Sequence, residues 1–250
     1  MDRQIIKRQA KALIQLRRKP ILTASALFLA LVLLFSYLSL RLKLPPPEQM
    51  LQLSDRFYEL VMAGNYAGAY RIADSVQPST AETIVSDLLS YLLVIVSFGF
   101  LLLLFKAARG EEVAPGILLD GFASWAKVLL VELITRLIVT LGYFALVIPG
   151  ILASYNYRMA PYLLIAHPEY SVIDCLRESR LRIRGYRLDL FRLDLSFLGW
   201  GLLSLVPVLG FVTAVWALPY WRCSCLLFFD SVNEGMDPEP RPEDQDRFLF

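Results

Sequence analysis

Glu132 and Arg136 stand four residues apart, acid first, in the apolar run KVLLVELITRLIVTLGYFALVI at 127–148. That order and spacing place both on one face of a helix as an ion pair. Ionisable residues inside a membrane-length segment are costly and mark functional positions by default. The pair is therefore read in two ways: as a neutralised contact within a bundle, or as a place for a substrate or a proton. Arg158 follows the sequence Ile148-Pro149-Gly150-Ile151 and has no acid close by in the chain. It has three options: to snorkel, to pair with Glu132 from a neighbouring span, or to hold an anionic headgroup. A helix broken beside a charged residue is how some transporters build their sites. A third set comes from a basic amphipathic stretch at 169–194, where Asp174–Arg177 and Glu178–Arg182 have the spacing of intrahelical pairs. Arg180, Arg184 and Arg187 are left over, for lipid phosphates or for fixing topology.

Enzymatic chemistry finds little purchase. The single histidine, His167, precedes Pro168 at the end of an apolar run and reads as an interfacial residue. No GxSxG, HExxH, P-loop or GxGxxG pattern occurs. Cys175, Cys223 and Cys225 make no disulfide framework, and are expected to be small apolar packing residues. No metal, cofactor or catalytic residue is expected.

The elements that must position these residues are membrane spans. The chain is 56% hydrophobic and 19% charged, with a mean hydropathy of +0.52. Soluble domains have about 45–50% apolar and about 25% charged residues. The run ILTASALFLALVLLFSYLSL (21–40) has no charge, and as a helix it reaches about 30 Å, the hydrocarbon thickness of a bilayer. It exceeds the length of a signal-peptide core and ends in RLKLPPP rather than a small-residue cleavage motif, so it reads as a retained anchor. A second strong run covers 83–105, and weaker ones cover 127–148, 151–167, 193–209 and 211–229. The expected fold is all-α, a polytopic bundle of about six transmembrane helices. A single helix over 127–167 would reach about 60 Å, so the chain has to reverse or tilt near 148–151; the same holds at 207–210.

Loop charge sets the orientation. The first twenty residues carry seven Lys or Arg, residues 168–192 carry six arginines, and the connections at 148–151 and 207–210 carry none. The positive-inside rule then gives N-in and C-in. Residues 1–20 read as a basic amphipathic helix with Ile6, Ala10, Leu13 and Ile14 on one stripe, suited either to an anionic leaflet or to packing on other cytoplasmic segments. After the first span (21–42), residues 43–82 are expected to form an extracytoplasmic helical hairpin turning at Gly64-Asn65. A five-span domain covers 83–232, with a cytoplasmic amphipathic segment at 168–192. The acidic, proline-rich tail at 233–250 is expected to be disordered. The expected partners are membrane lipids, anionic headgroups among them, and a protein at the outer hairpin. Nucleic acid is not expected.

The second half resembles a known family. Its marks are Ile148-Pro149-Gly150-Ile151, Tyr157-Arg158-Met159-Ala160-Pro161-Tyr162, Asp174-Cys175, Glu178-Ser179-Arg180 and Gly185. Leu193-Asp194-Leu195-Ser196-Phe197, Gly199-Trp200 and Pro219-Tyr220 complete the set. Over roughly 100–230 the chain resembles the bacterial integral membrane proteins grouped as the domain-of-unknown-function 975 family, with 43–82 as a lineage-specific insert. The resemblance implies a multi-span helical protein of the bacterial cytoplasmic membrane and no particular activity. It nominates Pro149, Gly150, Pro161, Gly199, Trp200 and Pro219 as structural positions. Two functions follow as expectations. One is a non-enzymatic module supporting envelope or lipid homeostasis. The other is a small permease with a polar site near Glu132, Arg136 and Arg158. A polar cavity joining those three near mid-membrane favours the permease, and a solid apolar bundle with the charges at the interfaces favours the module.

Overall fold

The computed structural model describes residues 3–44, 47–203 and 209–234. Among these residues there is no strand. The helices are α1 (Arg3–Leu16), α2 (Arg18–Lys43), α3 (Pro47–Met62), α4 (Tyr66–Ser75) and α5 (Thr80–Ala108), then a 3-10 segment at Pro115–Ser124. They continue as α6 (Trp125–Ala145), α7 (Val147–Asn156), α8 (Ala160–Ala166), α9 (Val172–Arg182), α10 (Arg187–Leu195), α11 (Leu198–Leu203) and α12 (Leu209–Glu234). Residues 235–250 of the expected disordered tail and 207–208 of the expected turn at 207–210 lie outside the described residues, while Leu209 and Gly210 begin α12 and Asn233 and Glu234 end it.

Among the described residues three runs are long and apolar enough to cross a membrane: Arg18–Met62, Thr80–Ala108 and Pro115–Ala145. They match the first three expected spans. On α6 the leucines 130, 133, 137 and 141 are exposed at helical spacing while Val128 and Val131 are buried. An outward apolar stripe of that kind suits a lipid-facing helix. The expected fourth span, 151–167, is instead divided between α7 and the seven-residue α8. The described part of the expected fifth span is shared by the end of α10 and the six-residue α11. A seven-residue helix reaches only about 10 Å.

The chain divides into two compact units, one made of Met1–Leu29 and Val94–Phe250, the other of Ala30–Leu93. In the smaller unit α3 packs on α4, and Gly64 at φ 72° makes the turn between them. Asn65 caps α4 by accepting from the Gly68 N–H at 3.0 Å. The hairpin read from the sequence is present, and its aromatic residues Tyr58, Tyr66 and Tyr70 stay exposed.

In the larger unit α1 packs along α12 and buries Ile6, Ala10 and Ile14. The apolar stripe of the basic N-terminal helix is thus used for packing within the protein. Lys7 donates to Ser196 Oγ at 3.1 Å and sits 4.4 Å from the centre of the Phe197 ring. Burial, with Arg3 nearby, holds its ammonium below the usual lysine range.

The chain breaks at Leu146, earlier than the proline and glycine suggested. Leu146 alone is extended (φ −169°, ψ 157°), and α7 packs back on α6. Pro149 and Gly150 lie in the first turn of α7, where a missing N–H removes no helical bond. Gly150 has a packing role, because a Cβ there would meet the Tyr143 ring at 2.5 Å. A closer contact holds α5 against the 3-10 segment. A Cβ on Gly99 would lie 2.0 Å from the Leu118 carbonyl oxygen, and one on Gly121 would lie 2.5 Å from that of Ile95. Backbone cannot give way as a flexible side chain can. Gly99→Ala is therefore expected to destabilise the protein by about 1–3 kcal/mol. Gly116→Ala, with open space around its Cβ, should stay within about 0.5 kcal/mol of the parent. Thermal unfolding of the detergent-solubilised variants measures the difference.

Candidate functional site

Ionisable side chains of the larger unit gather around the carboxylate of Asp194, at the end of α10. Arg158 lies in the turn between α7 and α8 and grips Asp194 with both terminal nitrogens, Nη2 meeting Oδ1 at 3.1 Å. Tyr155, from α7, donates its hydroxyl to Oδ2 at 3.1 Å, and Trp221, from α12, donates Nε1–H to Oδ1 at 2.9 Å. The guanidinium also lies 5.0 Å from the Trp221 ring centre and 5.8 Å from that of Tyr155, in cation–π range. Each carboxylate oxygen thus accepts twice. Such a saturated, fork-bound carboxylate suits a structural joint more than a proton acceptor.

Of the three options open to Arg158, the pair with Glu132 is not the contact made among the described residues. Glu132 holds Arg136 at 2.5 Å on the same helix, as the spacing predicts. Among the described residues no hydrogen bond or ion pair joins either of them to Arg158. A cavity of about 370 Å³ opens beside Asp194, lined by Leu29, Phe197, Trp200, Ala214, Leu218 and Trp221 among others. Its lining does not include Glu132, Arg136 or Arg158. Of the motif positions, Trp200 faces this cavity, Pro161 lies at the second position of α8, and Pro219 lies within α12.

Sequence reasoning missed Arg222. Its Nη2 donates to Ser97 Oγ at 2.9 Å, and its buried Nε has no acceptor among the described residues. Glu132 and Arg158 both lie within electrostatic reach of it. An arginine in an apolar segment was itself a signal, diluted here by its place in the mixed stretch PYWRCSC. The importance of Asp194 was hidden for another reason, since its partners are 36, 39 and 27 residues away in the chain.

On α9, Glu178 takes Arg182 at 3.4 Å as expected, and Arg182 also meets Asn233 of α12. Asp174 instead turns back to Ser171, which donates Oγ–H to it at 2.6 Å while accepting the Asp174 N–H at 3.2 Å. This capping box outcompetes the expected pair with Arg177. The hydrogen bonds from the Ser171 side chain, then from its backbone, hold the Asp174 carboxyl below its usual range. Arg180, Arg184 and Arg187 do come together, with Arg177, around one concavity of about 420 Å³. Cys175, Cys223 and Cys225 are free and buried.

The protein-family model described as "Protein of unknown function (DUF975)" matches residues 1–235. The chain belongs to this family. The match reaches well beyond the 100–230 stretch that carries the motif residues, and takes in the N-terminal helix and the helical hairpin of α3 and α4. No curated protein and no solved structure matches the chain. Within this DUF975 protein the motif residues Tyr157–Tyr162 and Leu193–Phe197 contain Arg158 and Asp194, the two sides of the main ion pair.

Arg158→Gln and Asp194→Asn are each expected to cost up to about 3 kcal/mol, because each strands a partner. The double variant should lose less than the sum. Arg158→Gln combined with Glu132→Gln should be additive. Thermal unfolding of the four variants decides, and additivity between Arg158 and Asp194 would show that they do not act as a pair.

Proposed function

We propose that this DUF975 protein is a non-enzymatic module of the bacterial cytoplasmic membrane that supports envelope or lipid homeostasis. The observation that carries the reading is how the charges are disposed. Arg158 is committed to Asp194 and Arg136 to Glu132, and the cavity that opens beside Asp194 is lined mainly by apolar side chains. A permease would instead need a polar path with groups free to bind and release solute.

The proposed topology is six crossings with both termini inside. The loop charges support it, as does the 26-residue length of α12, about 39 Å. Crossings four and five would be made by short helices in tandem, α7 with α8 and α10 with α11. Contacts among the segments assigned to the inner face agree with this. Arg17, after α1, donates to the Gly110 carbonyl at 2.5 Å, and Arg182 of α9 meets Asn233 at the end of α12. Arg222, held by Ser97 rather than by an acid, is the one observation favouring a permease.

Two experiments test the reading. A membrane-impermeant thiol reagent should label a cysteine placed at the exposed Ala63 in intact cells. One placed at Arg177 should be labelled only after permeabilisation; the reverse pattern would overturn the orientation. Cells lacking the protein should show altered phospholipid composition or envelope permeability. A Glu132→Gln/Arg136→Gln variant should restore both, since a neutral pair can replace a structural ion pair. Restoration of a solute uptake by the parent but not by this variant would establish the permease instead.

A further inference from the structure

We propose that Arg177, Arg180, Arg184 and Arg187 form a binding site for a phosphate group, carried by a lipid headgroup or by a soluble phosphoryl compound. The proposal deepens the module reading, on which it rests only for the site's position beside the inner leaflet.

The site is built by two elements and a turn. Arg177, Arg180 and Arg184 follow one another at three- and four-residue spacing along α9 and its end, which puts them on one face. Gly185 then takes φ 105°, a left-handed conformation that L side chains rarely adopt. The chain turns there, and Arg187, the first residue of α10, joins the same concavity of about 420 Å³. The fifth lining residue is Leu181, and no carboxylate lines it.

The nearby acids are engaged elsewhere. Asp174 caps its own helix through Ser171. Glu178 turns to Arg182 at 3.4 Å and approaches Arg177 only to 3.9 Å. Asp189 takes Arg192 at 3.5 Å. Arg180, Arg184 and Arg187 make no ion pair among the described residues, whereas Arg136, Arg158 and Arg182 each have an acid. The Nε of Arg187 is buried and has no acceptor among the described residues. A buried donor without a partner marks a missing acceptor, and four guanidinium groups lining one concavity call for an anion. Guanidinium forks match phosphate oxygens in pairs, which ammonium groups cannot do.

That difference separates a site from a topology signal. Arg180→Lys with Arg187→Lys keeps every positive charge, so the positive-inside orientation stands, but the forks are lost. The full-length protein in detergent is titrated with inorganic phosphate and pyrophosphate. In phosphatidylcholine nanodiscs doped with phosphatidic acid or phosphatidylglycerol, lipid retention is read by native mass spectrometry. The expected result is saturable binding of a phosphoryl probe, weakened by salt. The double lysine variant should bind about tenfold more weakly, with unchanged labelling at Ala63 and Arg177. Selective retention of the doped lipids with weak pyrophosphate binding identifies a headgroup; the converse identifies a soluble ligand. Absence of saturable binding in both arms, or binding that the double variant leaves unchanged, overturns the proposal. The Glu132/Arg136 complementation does not involve these arginines, so the module reading and the phosphate site can each fail alone.

Discussion

The four donors on Asp194 are the interaction on which the larger unit depends. A carboxylate among apolar helices has to be neutralised and hydrogen-bonded or it will not stay. Here one side chain draws Arg158, Tyr155 and Trp221 from the α7–α8 turn, α7 and α12 to the end of α10. Those segments are short or irregular, and none but α12 has the length to cross a membrane by itself. Leu and Phe contacts are non-directional. The hydrogen bonds to Asp194 have fixed lengths and angles, so they specify which short helix meets which.

Apolar packing and close backbone contacts complete the framework. Ile6, Ala10 and Ile14 lay α1 against α12, and Phe28 stacks on Phe100 with ring centres 5.1 Å apart. Gly99 and Gly121 let backbones approach to distances that no side chain would permit. Small residues at helix contacts are a common solution in membranes, where apolar burial alone does not tell a helix from a lipid tail. Tyr162 adds a polar tie, donating to Asp230 at 2.5 Å from a fully buried ring.

Charge is sorted by its partners. Arg136, Arg158 and Arg182 each find an acid, and the motif residues Arg158 and Asp194 form one such pair. Arg177, Arg180, Arg184 and Arg187 are gathered with no acid in the concavity they line. The first group reads as construction. The second is costly as construction alone, since like charges brought together repel, and so reads as a place for an anion. Arg222 lies between these cases, held by a hydroxyl and an aromatic face.

By itself the sequence determined whatever depends on runs and periods. The long apolar helices α2, α5 and α6, the helical hairpin with its Gly64 turn, the buried stripe of α1, the Glu132–Arg136 and Glu178–Arg182 pairs and the family were all legible. Each rests on neighbours at most four residues apart, or on composition over about twenty residues. Only the tertiary structure decided the rest. Arg158 took Asp194 over Glu132, Asp174 took Ser171 over Arg177, the reversal fell at Leu146 before the Pro-Gly pair, and Arg177 joined the other arginines. In these cases competing partners of equal chemistry were available. What chose among them was the path of the chain in space, which local spacing does not encode.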